Sequence, residues 1–382
     1  MFRRPFLLNS ELDSQFMKKA IELAKLGEGH TNPNPLVGAV IVKDNKIIGQ
    51  GYHHKYGDLH AERDAIKNSL ELGNDPKGAS IYVTLEPCCH FGKQPPCTHA
   101  IVESGITKVV IGSRDPNPLV HGKGILYLKE HNVEVVEDFF KEECDSLNSI
   151  FFHYITTGLP YVALKYASTM DGKIATVSGK SKWITNSQSR QFVHHLRNKF
   201  NCILCGIQTV LADDPMLSTR IPQNPDARNP VRIIADSSLR IPVESSIVKS
   251  AKEIRTIIAC GKFDSTEFLN KKNQLEQNNV EVFVCPDSNN QVDFEKLFRY
   301  LGSQKLDSVL VEGGGTINYS ILKTGMVNSI YQFVGGKIFG GNGKTPVGGN
   351  GIQEVEDSWN FNIKETKTFG TPVTDILIHW EK

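Results

Sequence analysis

The chain lacks an excess of either charge: 43 Lys and Arg face 42 Asp and Glu, for a net charge of +1. A protein that works on nucleic-acid backbones usually shows a basic surplus, so the balance points to a small-molecule substrate. No apolar run approaches the ~18 residues needed to span a bilayer, and the one among residues 1–10 is too short for a signal-peptide core. The expectation is a soluble, cytoplasmic protein without membrane or nucleic-acid partners. Internal repeats and low-complexity segments are absent. A disulfide framework is missing too. The eight cysteines are unevenly spaced, with Cys88 and Cys89 adjacent, and read as metal ligands and buried thiols. Nor does a G-x-G-x-x-G follow the first strand of the second half, which argues against an ordinary Rossmann fingerprint.

What is present is an alternation of helical patterns and short apolar strands, the signature of α/β layers. At 382 residues two domains are the natural prior. One occupies 1–150 and the other 151–382, with the boundary within Asp145–Gly158. In the first, 13–26 reads as an amphipathic helix and 36–42 and 47–52 as a hairpin. Helices are expected at 60–72 and 98–104, and strands at 80–84 and 108–111. The second carries strands near 161–166, 201–206, 231–235, 255–259, 280–285, 308–311, 329–334 and 375–380.

The chemistry concentrates in His60-Ala61-Glu62, answered downstream by Pro87-Cys88 and Pro96-Cys97. One imidazole and two thiolates make three zinc ligands and leave a position for water. Glu62 is not needed to hold metal; it is placed to move a proton. Together they form the H-x-E…P-C pattern of zinc deaminases acting on nucleobases. The spacing departs from the usual two residues between the cysteines, because eight separate Cys88 from Cys97. That loop also offers Cys89, His90 and His99 as rival ligands, and a closed structural site using Cys89 or His90 would leave Glu62 without a task. Upstream, Thr31-Asn32-Pro33-Asn34-Pro35 is either an ordinary connection or a pocket wall whose Asn amide pairs with a pyrimidine edge.

In the second half, Glu312-Gly313-Gly314-Gly315 lies between a strand and a helical 316–322. Glycines there let backbone N–H groups approach a phosphate at a helix N-terminus. Lys165 sits on an apolar strand, where a lysine is costly unless partnered. It is a catalytic candidate, with a structural ion pair to Asp171 or Asp213 as the alternative. Cys202 and Cys205 form a C-x-x-C, but strand alternation puts them on opposite faces as buried thiols.

With TLEPCCHFGKQPPC, HAE and NPNPLVGAVIV in the first half, and LKYASTMDGKIA, SKWIT, GIQTVLADDPMLSTR and VEGGG in the second, the chain resembles the bifunctional riboflavin-biosynthesis deaminase–reductases. The long inter-cysteine loop is part of that resemblance; Cys89 stands where many members have serine. The resemblance implies a cytidine-deaminase-like three-layer domain followed by a dihydrofolate-reductase-like domain that uses NADPH. It implies deamination of a phosphoribosylated diaminopyrimidinone and then reduction of the ribosyl group to ribityl. Asn34, His53, His90 and Lys93 would contact the pyrimidine or its phosphate, His53 having as its alternative a solvated pair with His54. Ala167, Trp183, Thr209, Asp213, Ser237, Gly314, Gly315, Thr316, Ile317, Asn318, Tyr319 and Ser320 would line the dinucleotide. Ser181, Arg197, Leu217, Arg220 and Glu312 would hold the reductase substrate. Trp183 offers a flat face to the cofactor, with core packing as the alternative, and the two arginines suit a ribose phosphate. A homo-oligomer, dimer or tetramer, is also implied. The rival readings are a cytidine or nucleic-acid deaminase with an appended binding domain, and a non-catalytic protein stabilised by zinc.

Overall fold

The computed structural model describes residues 10–92 and 94–382. Contacts divide the chain into two units, the second being Leu159–Lys382. The first unit contains α1 (Ser10–Lys25), β1 (Gly38–Lys43), β2 (Lys46–Tyr52), α2 (Ala61–Glu71), β3 (Ser80–Leu85), α3 (Cys97–Glu103), β4 (Lys108–Ser113), α4 (Lys123–Glu130), β5 (Glu134–Val136), α5 (Lys141–Leu147) and α6 (Ser149–Thr157). Its five strands run in the order β2-β1-β3-β4-β5. The hairpin β1/β2 and the pair β1/β3 are antiparallel, and β3/β4/β5 are parallel. Central strands such as β1 and β4 are buried on both faces, which explains their unbroken apolar runs. One face packs Ala61, Ala65, Ile101, Ile125 and Leu128 of α2, α3 and α4; the other packs Met17, Ala20 and Cys144 of α1 and α5. The result is the expected three-layer α/β sandwich.

The second unit contains β6 (Tyr161–Thr169), α7 (Ser187–Lys199), β7 (Cys202–Gly206), α8 (Ile207–Asp213), β8 (Val231–Ala235), α9 (Ser246–Lys249), β9 (Thr256–Cys260), α10 (Thr266–Gln277), β10 (Val280–Val284), α11 (Phe294–Ser303), β11 (Ser308–Val311), α12 (Gly315–Lys323), β12 (Val327–Gly335), β13 (Asn362–Phe369) and β14 (Asp375–Glu381). The nine strands run β10-β9-β8-β7-β11-β6-β12-β14-β13. All pairs from β10 to β12 are parallel; β12/β14 and β14/β13 are antiparallel. Cys202 and Cys205 do fall on opposite faces, Cys202 with the α11/α12 core and Cys205 with the α8, α9 and α10 core. Burial pushes both thiols up, as expected of inert core cysteines.

The segment Asp145–Gly158, where the boundary was expected, holds the end of α5 and all of α6, which stops at Gly158 with φ 71°. Strand β13 was not expected, because NIKETKTF is exposed along nearly its whole length and shows no apolar alternation. It is the outer strand, where lysines are the usual device against edge pairing.

Candidate active sites

His60 caps the N-terminus of α2, and Cys97 opens α3 behind Pro96. Cys88 follows β3 on the connecting loop, and the Cys97 N–H donates to its sulfur at 3.4 Å. The Nδ1 of His60 lies 3.5 Å from Cys88 Sγ and 3.3 Å from Cys97 Sγ. Among the described residues these three are the group that can hold a metal ion. Cys89 and His90 are not part of it, and the His99 ring stacks on Tyr127 instead. Soft N/S donors at this spacing fit zinc.

The two thiols are driven in opposite directions. The hydrogen bond from Cys97 holds the Cys88 thiol down at about 4, with His60 assisting against burial. Its partner Cys97 goes the opposite way, pushed well up by that same bond, by burial and by Glu62. Burial would lower the His60 pKa, but the bond to Cys88 and the charges of Glu62 and Cys88 raise it overall. Glu62 lies in the first turn of α2, 3% exposed. Burial and then the Cys88 charge push its carboxyl up to about 6, and it hydrogen-bonds Cys97.

His53 is buried, not half of a solvated pair; that description fits only His54, which pairs with Asp64 at 3.0 Å. The Asn34 Nδ2 approaches His53 Nε2 at 3.1 Å, and His53 Nδ1 faces the Leu59 carbonyl at 2.9 Å. An amide nitrogen only donates, so this network assigns the proton to Nδ1 and makes Nε2 the acceptor. Burial lowers the His53 pKa, in keeping with a neutral ring. Asn34 keeps its amide oxygen for another partner. His90 contributes a buried Nδ1 with no protein partner. Lys93 lies outside the described residues.

Glu86 escaped the sequence reading. Its carboxylate accepts the N–H groups of Gly122 and Gly124 at 3.1 Å and of Asp115 and Ile125 at 3.4 Å. It therefore ties the strand end before Cys88 to the start of α4. Gly124 is needed there, since a Cβ would sit 2.2 Å from the Pro87 carbonyl oxygen. An acid wedged between a strand and Pro-Cys was the available signal. Glu86→Ala leaves these N–H groups unpaired and is expected to destabilise the first unit by about 1–3 kcal/mol, measured by thermal unfolding.

In the second unit, Arg197 of α7 grips Glu312 with both prongs, Nε to Oε1 at 2.7 Å and Nη2 to Oε2 at 3.0 Å. Its remaining Nη1 donates to the Ser218 carbonyl at 3.0 Å. Arg197 is thus not free to fork onto a phosphate. Lys165 Nζ stands 3.6 Å from Glu312 Oε2, so its partner is neither Asp171 nor Asp213. Asp171 instead accepts from Thr169 and from the backbone of Phe339 and Gly340, and Asp213 pairs with Lys182 at 2.8 Å. Burial opposes ionisation of Glu312, but Arg197 and then Lys165 outweigh it and hold the carboxyl at about 2. Arg220 is exposed beside His194, whose pKa burial and the two arginines depress to about 4.

A cleft of about 990 Å³ opens at the C-terminal ends of β7, β8 and β11. Thr209, Ser237, Gly314, Gly315, Thr316, Ile317 and Ser320 line it, as expected. Asn318 and Tyr319 do not: Asn318 is fully buried and donates to the Pro346 carbonyl, and Tyr319 meets Trp359 edge-on. A helix turns successive side chains about its axis, so a continuous run of ligands was not available. Ala167, Asp213 and Trp183 also lie off the cleft lining. Trp183 is no core residue; it is 59% exposed with the Arg190 guanidinium 4.4 Å from its ring centre. Ser181 is exposed, and the Leu217 side chain is in the core. A Cβ on Gly314 would meet nothing, whereas one on Gly315 would strike the Thr345 carbonyl at 2.7 Å. The space over Gly314, at the N-terminus of α12, is a cradle that a side chain would fill.

The family described as the RibD C-terminal domain matches residues 160–374. The cytidine and deoxycytidylate deaminase zinc-binding region matches residues 10–113. A riboflavin biosynthesis protein RibD from Actinobacillus pleuropneumoniae is 49% identical over 369 residues, 96% of this chain and 95% of that protein. The chain belongs to the RibD family. The Escherichia coli RibD is 35% identical, over 96% of this chain and 98% of its own. A Thermotoga maritima structure described as a diaminohydroxyphosphoribosylaminopyrimidine deaminase/5-amino-6-(5-phosphoribosylamino)uracil reductase superposes with a TM-score of 0.84 at 38% identity, covering 97% of this chain and 98% of that one. For a RibD chain, the His60/Cys88/Cys97 donors fit the zinc of the deaminase half. The open cradle at Gly314 fits the dinucleotide phosphates of an NADPH-dependent reductase half.

Proposed function

We infer that this protein is the bifunctional deaminase–reductase of riboflavin biosynthesis. It removes ammonia hydrolytically from a phosphoribosylated diaminopyrimidinone and then reduces the ribosyl group with NADPH. We assign the first reaction to the first unit and the second to Leu159–Lys382. The observation that carries the reading is Glu62, a buried carboxyl at the Cys97 sulfur that no structural task explains.

His60, Cys88 and Cys97 would hold zinc, which when bound would supply a water acidic enough to react at neutral pH. Glu62 takes the proton of the attacking water and returns it to the ring nitrogen and the departing ammonia. Asn34, oriented by His53, offers its amide oxygen to the pyrimidine edge, while His90 faces the rest of the substrate and Lys93 remains a ligand that the resemblance implies. NADPH supplies the hydride in the second unit. Lys165, held by Glu312, directs its ammonium at the sugar oxygen that gains a proton when the ribose opens. Arg220, beside a neutral His194, takes the substrate phosphate. Ser181, Leu217 through its backbone, Trp183, Ala167 and Asp213, which lie off the cleft lining, are further ligands that the resemblance implies. All eight thiols are free, in keeping with a reducing, cytoplasmic setting. Among the described residues no helix is long and apolar enough to cross a membrane. Self-association into a dimer or tetramer would register in light scattering as a multiple of 42.5 kDa.

The deciding experiment incubates the protein with the diaminopyrimidine substrate, with and without NADPH, and follows ammonia and NADPH oxidation together. Ammonia release should not require NADPH, and NADPH oxidation should follow ammonia release. Activity on cytidine without any NADPH oxidation would overturn the reading. Gly314→Ala is expected to shift stability by no more than about 0.5 kcal/mol while raising the KM for NADPH, because its methyl occupies the cradle.

A further inference from the structure

The cofactor cleft has direction. Lys165 on β6 and Glu312 after β11 mark the reacting end, and the Gly314 cradle marks the phosphates. In the strand order β8-β7-β11-β6, the end of β8 lies on the other side of the cradle from β6. A dinucleotide with its ring near Lys165 and its pyrophosphate at Gly314 must therefore send its adenosine toward β8.

Asp236 stands directly after β8, where a carboxylate commonly holds the ribose diol of NADH. Here it is fully buried. Its Oδ2 accepts the Ile241 N–H at 2.8 Å, and its Oδ1 lies 3.5 Å from Arg240 Nε. The acid is turned inward, where its Oδ1 makes no hydrogen bond and serves Arg240 as a buried counter-charge. Arg240 lines the cleft, half-exposed, and among the described residues its terminal amino groups make no hydrogen bond to the protein. The Ser237 hydroxyl is already engaged, donating to Gln291 Oε1 at 3.1 Å and accepting from the Val292 N–H at 3.3 Å. Of the other cations on the cleft, Lys323 sits 5.9 Å from the Tyr319 ring centre. Lys344 adjoins Thr345, whose carbonyl approaches Gly315, and so belongs to the phosphate cradle.

We propose that Arg240 is the ligand of the 2′-phosphate of NADPH and the residue that selects NADPH over NADH. The proposal rests on the reductase reading above. A guanidinium ion-paired through Nε leaves its outer edge as a fork for a phosphate, and the carboxylate directly after β8 is fully buried, out of reach of a bare ribose diol.

Isothermal titration calorimetry of the whole chain tests it, using NADPH, NADH, adenosine 2′,5′-bisphosphate and 5′-AMP as probes. Arg240→Ala should weaken NADPH and the bisphosphate by about 10- to 100-fold, the range of a lost charge-assisted hydrogen bond. NADH and AMP should bind as before, and Arg240→Lys should fall between. Thermal unfolding checks that each variant is folded; if Arg240→Ala is not, Arg240→Lys and Arg240→Gln carry the test. Equal loss for all four probes, or no loss, overturns the proposal. So does a selective loss in Lys344→Ala with none in Arg240→Ala. Failure of the wild type to oxidise any dinucleotide with deaminated substrate would instead overturn the reductase reading.

Discussion

Glu62→Gln is expected to lower ammonia release by about 10²- to 10⁴-fold, the usual contribution of a positioned general acid–base group. Zinc content, by metal analysis, should stay at one per chain. The substitution preserves shape and removes only the ability to accept a proton. Glu62 is not among the three metal donors, so the ion keeps its ligands. Reduction of pre-deaminated substrate should continue, because the residues proposed for it all lie in Leu159–Lys382. Ammonia release that survives the change would remove the proton shuttle, and a non-catalytic zinc protein would become the better reading. Loss of zinc together with activity would show that Glu62 holds the metal after all.

Arg197→Met should be the most damaging single change in the second unit. It leaves Glu312 buried with only Lys165, and breaking a buried pair from one side costs about 3–5 kcal/mol. NADPH oxidation should disappear while ammonia release persists; equal loss of both would end the assignment of two sites. The effect has a defined pH course. Glu312 is held at about 2, below its ordinary 4.5, so its stabilising contribution is complete above 4.5 and is lost as pH falls toward 2. Without Arg197 the carboxyl pKa rises back toward its ordinary value, so the loss of stability on acidification from 4.5 toward 2 should shrink in denaturation curves. Adding Glu312→Gln should return much of the stability but none of the reduction. Recovery of activity in the double variant would make the pair merely structural.

The metal set and its proton carrier were legible in the sequence because their chemistry is local: each ligand sits where a helix begins or a strand has just ended. Most strands were legible for the same kind of reason, as parallel strands buried on both faces carry unbroken apolar runs. What escaped were long-range pairings. The Arg197–Glu312 fork joins residues 115 apart, and the Asn148 side chain bonds Leu36 across 112. No local pattern specifies such partners, so Lys165 was expected to have an ion-pair partner but not the one it has. Strand β13 was invisible because its burial is too slight to imprint alternation. The run from Gly314 to Ser320 was read as a continuous lining, and helical rotation divides it between the cleft and the core.

The placement of Cys202 and Cys205 on opposite faces of β7 gives the second unit two built-in clocks. Each thiol is sealed by a different helical layer, one by α11 and α12, the other by α8, α9 and α10. Neither can meet a labelling reagent until its own layer lifts. The ratio of their labelling rates, read by mass spectrometry in mild denaturant, therefore reports which side of the sheet opens first.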